Sequence, residues 1–169
     1  ATMSAPADKG TTGALKNRGN IFRQTADSIG MKQRHSYHRL FFHLVFHVRE
    51  RQPLIQTPRD ERKIAGYLRV KAHNLDCYIE ELGTWYDHLH MLLRTGTTIA
   101  LCQIYRQLKG FCSRAWNLRH PDRRMSWGDG VYIATVGPEE TPLLRNYIRN
   151  QRHHHSKDTL IPEWEALDF

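Results

Sequence analysis

The chain has 169 residues, of which 40% are hydrophobic and 25% are charged, and its formal net charge is +8. This composition predicts one folded domain with a sizeable core, and no apolar run approaches the roughly 20 residues of a membrane span. The three cysteines, Cys77, Cys102 and Cys112, form no C-x-x-C motif, which argues against a disulfide framework or zinc knuckle and favours a reducing cytoplasm. The positive charge favours a polyanionic partner, most often nucleic acid, over a merely basic soluble protein.

The chain is expected to divide into three parts. Residues 1–35 are predicted to be a basic, weakly structured arm, because they contain Lys16, Arg18 and Arg23 but few large apolar residues. Residues 36–155 are predicted to form the folded domain. Residues 156–169 are apolar and acidic and are expected to pack back on that domain.

The first two elements are predicted to be a strand and a helix. The segment SYHRLFFHLVFHVRE, which begins at Ser36, is rich in aromatic and β-branched residues, as is typical of a strand. The next segment, PRDERKIAGYLRVKAHNL, repeats Ile64, Leu68 and Ala72 at helical spacing after a start signal at Pro58. It is therefore predicted to be an amphipathic helix.

The middle of the chain predicts a hairpin followed by a second helix. The segments DCYIEELGTWY and DHLHMLLRT are strand candidates joined by only a few residues, which favours an antiparallel pair. The segment TIALCQIYRQLKGFCSRAWN then predicts a helix with an apolar face and a basic face. The apolar positions are Ile99, Ile104, Leu108 and Phe111, and the basic positions are Arg106, Lys109 and Arg114.

The last part of the domain predicts a short strand and one continuous helix. GVYIATVG is the fourth strand candidate, and PEETPLLRNYIRNQRHHH is a helix opened by Pro138 and two acids, which suit the positive helix N-terminus. The resulting order is β-α-β-β-α-β followed by a helix. It predicts an α+β fold, a ferredoxin-like antiparallel sheet with helices on one face and a further C-terminal helix.

Two histidines, His88 and His90, stand either side of one leucine in the third strand candidate. In a chain with 11 histidines, such a pair arises by chance roughly 0.7 times, so the motif alone carries little weight. Residues two apart in a strand share a face, and two neutral imidazoles on one face can begin a divalent-metal site. They can equally be core histidines with hydrogen-bond partners, and the sequence leaves both interpretations open.

Tyr147 and Gln151 lie four residues apart in the last predicted helix and share a face, on which His154 follows with His155 beside it. One interpretation is a tyrosine nucleophile with a metal-binding amide one turn away. The other is a tyrosine that packs on a neighbour and a solvated glutamine. Because a glutamine oxygen is a hard ligand, a set of two histidines and one glutamine suits Mg²⁺ or Mn²⁺ better than structural zinc.

Five motifs in the correct order resemble those of the HUH single-tyrosine transposases, the enzymes of the insertion-sequence and REP-associated type. HLVFHVRERQPLI resembles the family's first strand and its exit, and DHLHMLL resembles its D-H-hydrophobic-H strand. QLKGFCSRAW resembles the L-K-G-x-x-S-R stretch of the second helix, WGDGVYIATVG the strand before the last helix, and YIRNQRHH the nucleophile helix. The resemblance covers about residues 37–155 and departs from the family pattern at Tyr86, where relatives often carry proline.

The resemblance implies a metal-dependent single-stranded DNA endonuclease and strand transferase that works through a 5′-phosphotyrosine intermediate. The implied site consists of Tyr147 as the nucleophile and His88, His90 and Gln151 as ligands of a divalent metal, Mg²⁺ or Mn²⁺. Auxiliary roles are expected for Asp87, His154 and His155. Asp87 is equally well explained as a plain turn or strand-edge residue.

The implied partner is single-stranded DNA that carries a hairpin. Phosphate contacts are expected on or near the second helix, from Arg106, Lys109, Ser113 and Arg114. A basic helix face is usually just solvated, but the resemblance gives phosphate contacts equal weight here. A homodimer is expected because the family commonly forms one, while REP-associated relatives can be monomeric. The resemblance further implies a cytoplasmic enzyme that acts on DNA and has no membrane partner.

Other functions fit parts of the pattern. An HUH replication initiator or relaxase shares the chemistry, but such enzymes usually place the tyrosine differently and have longer chains. A non-catalytic nucleic-acid-binding module can use the same ferredoxin-like sheet, but it has no need for a tyrosine, a glutamine and two histidines to converge. A small metal-binding structural protein is a further alternative.

Overall fold

The structure, a computed structural model, describes residues 38–165, so the predicted arm of residues 1–35 and the tail beyond residue 165 lie outside the described residues. The helices and strands follow one another as β1 (Leu40–His47), α1 (Pro58–His73), β2 (Tyr78–Thr84), β3 (His88–Thr95), α2 (Leu101–Asn117), β4 (Tyr132–Val136), α3 (Thr141–Arg149), α4 (Gln151–Lys157) and α5 (Pro162–Glu165). The predicted β-α-β-β-α-β order is therefore confirmed. No helix within residues 38–165 is both long enough and apolar enough to cross a membrane.

The four strands form one antiparallel sheet in the order β2-β3-β1-β4. The two central strands, β3 and β1, pair so that His88 lies opposite His47 and His90 lies opposite Val45. On the other side of β3, His90 lies opposite Gly83 of β2. This is the ferredoxin-like arrangement expected from the sequence, and it puts the histidine pair on a central strand.

Alternation along β3 separates the two faces of the sheet. The main hydrophobic core, shared with α1 and α2, takes every second residue of this strand, namely Leu89, Met91 and Leu93. Leu92 faces the opposite way and packs with Leu144 of α3. His88 and His90 share the face of Leu92, so they lie on the side of α3 and away from the main core.

The first helix begins where the sequence predicts. The hydroxyl of Thr57 accepts a hydrogen bond from the backbone N–H of Asp60 at 3.2 Å, and the Asp60 carboxylate accepts one from the Thr57 N–H at 3.1 Å. This reciprocal capping box satisfies donors that the first turn leaves without partners. The buried positions of α1 include Ile64, Leu68 and Ala72, as the helical spacing predicts.

The buried face of α2 differs in part from the prediction. Ile104 and Leu108 are buried as expected, but Phe111 is 37% exposed, and Cys112 and Trp116 continue the buried stripe. Successive four-residue steps turn the stripe gradually round the helix, so it moves toward Cys112 and leaves Phe111 at its margin. The prediction that Phe111 belongs to the apolar face is therefore wrong.

The last predicted helix is in fact two helices. The sequence predicts one helix from Pro138 to His155, but α3 begins at Thr141 and ends before Asn150, after which α4 begins. Asn150 has φ −99° and ψ 19°, and its side-chain amide donates to the backbone oxygen of Asn146 at 2.9 Å. An asparagine side chain that competes for a backbone acceptor in this way favours a break in the helix.

The C-terminal part of α3 approaches the sheet closely at Gly83. A Cβ atom built on Gly83 would lie 1.9 Å from the carbonyl oxygen of Ile148 and 3.0 Å from the Cβ atom of Gln151. Two ion pairs also hold α3 to β2: Arg145 with Glu80 at 2.9 Å, and Arg149 with Glu81 at 2.7 Å. Because Gly83 has no side chain, the end of α3 can lie against β2, which brings Gln151 at the start of α4 close to His90 on β3.

Replacing Gly83 by alanine is expected to destabilise the protein by about 1–3 kcal/mol, because the new methyl group overlaps the backbone of α3. Urea denaturation of both proteins measures this change in the free energy of unfolding. Gly66→Ala is the matched control, since no atom lies within 4 Å of the new Cβ atom there. A loss no larger in the Gly83 variant than in the control would show that the close approach does not hold in solution.

Candidate active site

The two histidines of β3 are held by hydrogen bonds on one ring nitrogen each. The Nδ1 atom of His88 lies 2.7 Å from the Asp87 carboxylate, and the Nδ1 atom of His90 lies 3.0 Å from the Nε2 atom of His43 on β1. Both histidines are buried. These contacts orient the rings so that both Nε2 atoms face the same cluster of side chains, the usual way in which a protein prepares metal-binding imidazoles.

The helix α4 lies over the pair and adds two side chains. The amide nitrogen of Gln151 is 3.1 Å from His90 Nε2, and His155 Nε2 is 3.1 Å from His88 Nε2. Gln151 and His155 are one turn apart on α4, and the amide nitrogen of Gln151 lies 3.0 Å from His155 Nε2. The helix therefore presents both side chains to the histidines of the strand.

Glu165, in α5, completes this cluster. Its side chain is fully buried, and its Oε2 atom lies 3.2 Å from His155 Nε2 and 3.6 Å from the Nε2 atoms of both His88 and His90. Its Oε1 atom accepts a hydrogen bond of 2.8 Å from the amide of Gln151. One carboxylate thus contacts all three imidazoles and the glutamine.

Tyr147 reaches the same carboxylate from α3. Its hydroxyl donates a hydrogen bond to Glu165 Oε1 and accepts one of 3.2 Å from the backbone N–H of Ile161. The ring of His154 stacks on the phenol with centroids 4.5 Å apart, and Trp164 packs against it edge-on at 4.9 Å. Only 3% of Tyr147 is exposed, so its hydroxyl is covered by the α5 segment in this arrangement.

The environment favours neutral imidazoles beneath α4, except at His88. Burial lowers the pKa of His90 to about 4, and burial together with the neighbouring His90 lowers the pKa of His43 to about 3. Burial also disfavours the charged form of His88, but the carboxylates of Asp87 and Glu165 outweigh it and raise the pKa of His88. Neutral imidazoles keep their lone pairs available for a metal ion.

The surroundings favour an ionised carboxylate at Glu165 and a protonated phenol at Tyr147. Burial opposes ionisation of Glu165, but hydrogen bonds from His155, His88 and His90 outweigh it and hold its pKa far below the usual range. Burial and the hydrogen bond to Glu165 raise the pKa of Tyr147 above its usual value. The phenol is therefore kept protonated while the carboxylate is in contact with it.

The cluster fits a divalent cation. One ligand atom from each of His88, His155 and Glu165 lies within 4.8 Å of the other two. The buried Oε1 atom of Gln151 has no hydrogen-bond partner, and Oε2 of Glu165 faces the three imidazole nitrogens. Buried oxygens beside imidazole nitrogens form a mixed nitrogen and oxygen donor set, which suits a bound cation.

The structure brings the predicted nucleophile and ligands together but leaves the predicted DNA contacts elsewhere. The side chains that meet at Glu165 are those of His88, His90, Gln151 and Tyr147. The three predicted auxiliary residues are nearby: Asp87 contacts His88, His154 stacks on the phenol ring, and His155 is part of the cluster.

The four predicted DNA contacts lie on α2, which packs on the other face of the sheet. There the Lys109 ammonium is bound by the carbonyl oxygens of Gly128 and Gly130, and the Ser113 hydroxyl donates to Lys109 O.

Three residues of the site were not predicted from the sequence. His43 and His47 lie on β1 four residues apart, and burial is the main reason why the pKa of His47 falls to about 3. Residues an even number apart in a strand share a face, so the spacing of His43 and His47 within the predicted first strand is a signal for them. Glu165 has no such signal, because no spacing in the apolar and acidic tail links one of its acids to the histidines.

Comparisons with known proteins agree with this architecture. Residues 36–151 match the family described as "Transposase IS200 like". A transposase candidate from Deinococcus radiodurans R1 has a similar crystal structure, with 21% identity and a TM-score of 0.56 over 71% of this chain and 96% of that chain. A REP-associated tyrosine transposase bound to a REP hairpin is similar at 11% identity, with a TM-score of 0.54 over 73% of each chain.

No protein with a curated description matches the chain. The two structural likenesses are below 25% identity and establish the fold alone. The family match covers well over half of the sequence, including both histidines of β3, Tyr147 and Gln151. The chain therefore belongs to the family of IS200-like transposases.

Proposed function

We propose that this transposase is a metal-dependent enzyme that cleaves single-stranded DNA with Tyr147 and joins the cut end to another strand. The observation that carries the proposal is the convergence on Glu165. Its Oε1 atom contacts Tyr147 and Gln151, and its Oε2 atom lies within 3.6 Å of three imidazole nitrogens. The Glu165 carboxylate, an anionic group, therefore lies between a candidate nucleophile and candidate metal ligands. The phosphate of a DNA strand is also anionic, and it has to lie between the same groups in order to be cleaved.

In the proposed reaction, the phenolic oxygen of Tyr147 forms a bond to phosphorus as the bond from phosphorus to the DNA 3′ oxygen breaks. The phenol loses its proton, and the departing 3′ oxygen gains one to become a hydroxyl. The product is a 5′-phosphotyrosine, which retains a phosphodiester bond. A 3′ hydroxyl from another strand can therefore reverse the step without ATP.

The proposed cofactor is Mg²⁺ or Mn²⁺, held by His88, His90 and Gln151, with His155 as a further donor. When bound, it supplies polarisation of the scissile phosphate and stabilises the charge that develops on it. The role proposed for Asp87 is to hold the ring of His88 through Nδ1.

The contact between Glu165 and Tyr147 has a consequence for activity. A phosphate cannot reach the phenol while this carboxylate holds it, so Glu165→Ala is expected to lower the KM for DNA roughly tenfold. Steady-state cleavage assays measure the change. Glu163→Ala is the matched control, since Glu163 is exposed on the same short helix. Loss of both cleavage and Mn²⁺ binding in the Glu165 variant would instead make Glu165 a required ligand.

The proposed activity can be tested with single-stranded hairpin DNA taken from the flanks of the gene. Strands labelled at the 5′ or the 3′ end are incubated with the protein, with Mg²⁺, with Mn²⁺ or with EDTA. The fragment on the 3′ side of the cut is expected to become attached to the protein, and the other fragment is expected to carry a free 3′ hydroxyl. Cleavage that persists in EDTA, or that leaves no adduct, contradicts the proposal.

Hairpin-bearing DNA is proposed as the partner, and the relative solved with a REP hairpin supports this choice. Among the predicted DNA contacts, Arg106 and Arg114 are exposed on α2 and are proposed to contact phosphates of the stem. Lys109 is proposed to act indirectly, by holding the carbonyl oxygens that it already binds. The expected homodimer stays a prediction, which sedimentation of the full chain checks.

A further inference from the structure

A cleft of about 440 Å³ opens directly beside the candidate site. This volume falls in the range of about 300–1,000 Å³ that is usual for small-ligand sites. The apolar part of the lining comprises Pro53, Trp85, Tyr86 and Leu160, and the charged part comprises Arg51 and Asp87. An aromatic surface with a cation at its edge has the chemistry that a nucleotide requires, namely a stacking surface and a phosphate contact.

The cleft and the metal-ligand cluster share two residues. His88 and His155 line the cleft, and their Nε2 atoms also belong to the cluster around Glu165. Whatever occupies the cleft is therefore adjacent to a phosphate bound at the cluster. In a DNA strand, the nearest groups to a phosphate are the two nucleosides that it joins.

Tyr86 is the side chain in the cleft with the most accessible aromatic ring. The neighbouring Trp85 is stacked on His155, with ring centroids 4.7 Å apart and planes at 9°, and Arg152 lies over its ring as well. Tyr86 is 40% exposed, and the Arg152 guanidinium lies 5.2 Å from its ring centroid. Arg152 is fixed in turn by an ion pair with Glu61, and it does not line the cleft. The phenol is thus supported by a cation outside the cleft and accessible within it.

We infer that Tyr86 is a stacking platform for a nucleobase of single-stranded DNA, at a nucleotide next to the phosphate that the enzyme cleaves. This inference rests on the proposed function, since it takes the cluster of histidines as the place of that phosphate. Arg51, at the edge of the cleft and 3.7 Å from Asp87, is positioned to contact a neighbouring phosphate of the same strand. Stacking on an aromatic ring is tolerant of sequence, so the platform positions the strand and selects no particular base.

The test uses the full chain and hairpin DNA in which 2-aminopurine replaces one base at a time along the single-stranded flank. Stacking on Tyr86 is expected to quench the fluorescence of the analogue at one position. Tyr86→Ala is expected to remove that quenching and to weaken DNA binding roughly tenfold. Tyr86→Phe retains the ring and is expected to behave like the wild type, which separates stacking on the ring from a contact of the hydroxyl.

Tyr78→Ala is the matched control, because Tyr78 is an exposed tyrosine under an arginine, Arg94, at the far end of β2. Equal quenching and equal affinity in the Tyr86→Ala and Tyr78→Ala variants overturn the inference, even if both proteins form the covalent DNA adduct. Quenching that depends on Tyr86 in a protein that forms no adduct supports the stacking platform and contradicts the proposed function alone. Absence of quenching at every position in the wild type also overturns the inference.

Discussion

Replacing Tyr147 by phenylalanine is expected to reduce DNA cleavage by about a thousandfold or more, since the variant lacks the oxygen that would form the covalent link. The variant lacks only the oxygen that donates to Glu165 and accepts from the Ile161 N–H. The phenyl ring remains available to pack between His154 and Trp164, as the phenol does. Binding of hairpin DNA is therefore expected to change by no more than about twofold.

The measurement combines a cleavage assay with a binding titration on the same labelled DNA. Tyr67→Phe serves as the control, because Tyr67 is on α1 and packs against the main core on the other face of the sheet. Cleavage at the wild-type rate by the Tyr147 variant would rule out this nucleophile. A wild-type protein that binds but never cleaves would favour the alternative of a non-catalytic nucleic-acid-binding module.

Replacing His88 by alanine is expected to abolish Mn²⁺ binding and to lower metal-dependent cleavage by about a hundredfold or more. His88 lies within reach of Glu165 and His155, so its loss removes one of the nitrogens on which the cluster converges. The same change at His90 is less informative, because His90 is fully buried against His43 and its removal also leaves a cavity. Asp87→Asn, which weakens the support of His88 but keeps its ring, is expected to lower the metal affinity roughly 10–100-fold.

Titration calorimetry with Mn²⁺ measures the metal affinity without reference to catalysis. His153→Ala is the matched control, since His153 is an exposed histidine on the same helix as His155 and is not part of the cluster. We expect the control to bind Mn²⁺ like the wild type. Equal affinity in the His88 variant and the control would mean that the metal site is elsewhere or that the histidines are structural.

Much of the fold follows from local periodicity. Apolar residues at four-residue spacing predict α1, and alternation in β3 places His88 and His90 on one face. Local periodicity fails to predict the structure where contacts between residues distant in sequence determine it. Phe111 lies at the margin of the α2 stripe, and Asn150 breaks the last helix without any proline or glycine to mark the break.

The site is predictable only as far as the resemblance extends. Tyr147 and Gln151 share a helical face by spacing, and the break at Asn150 leaves both in contact with Glu165. Glu165 itself lies 14 residues beyond Gln151 in a segment without periodicity, so no local pattern links it to the histidines. Its position depends on how the α5 segment packs on α3, which is a long-range property of the fold.

The covalent link itself provides the most direct measurement. The adduct formed with hairpin DNA and Mn²⁺ is treated with nuclease and trypsin, and the peptides are identified by mass spectrometry. Trypsin is expected to release residues 146–149, which contain Tyr147 between two arginine cleavage sites. We expect this peptide to carry a 5′-phosphorylated nucleotide on the tyrosine. A nucleotide attached to any other residue would contradict the assignment of Tyr147 as the nucleophile.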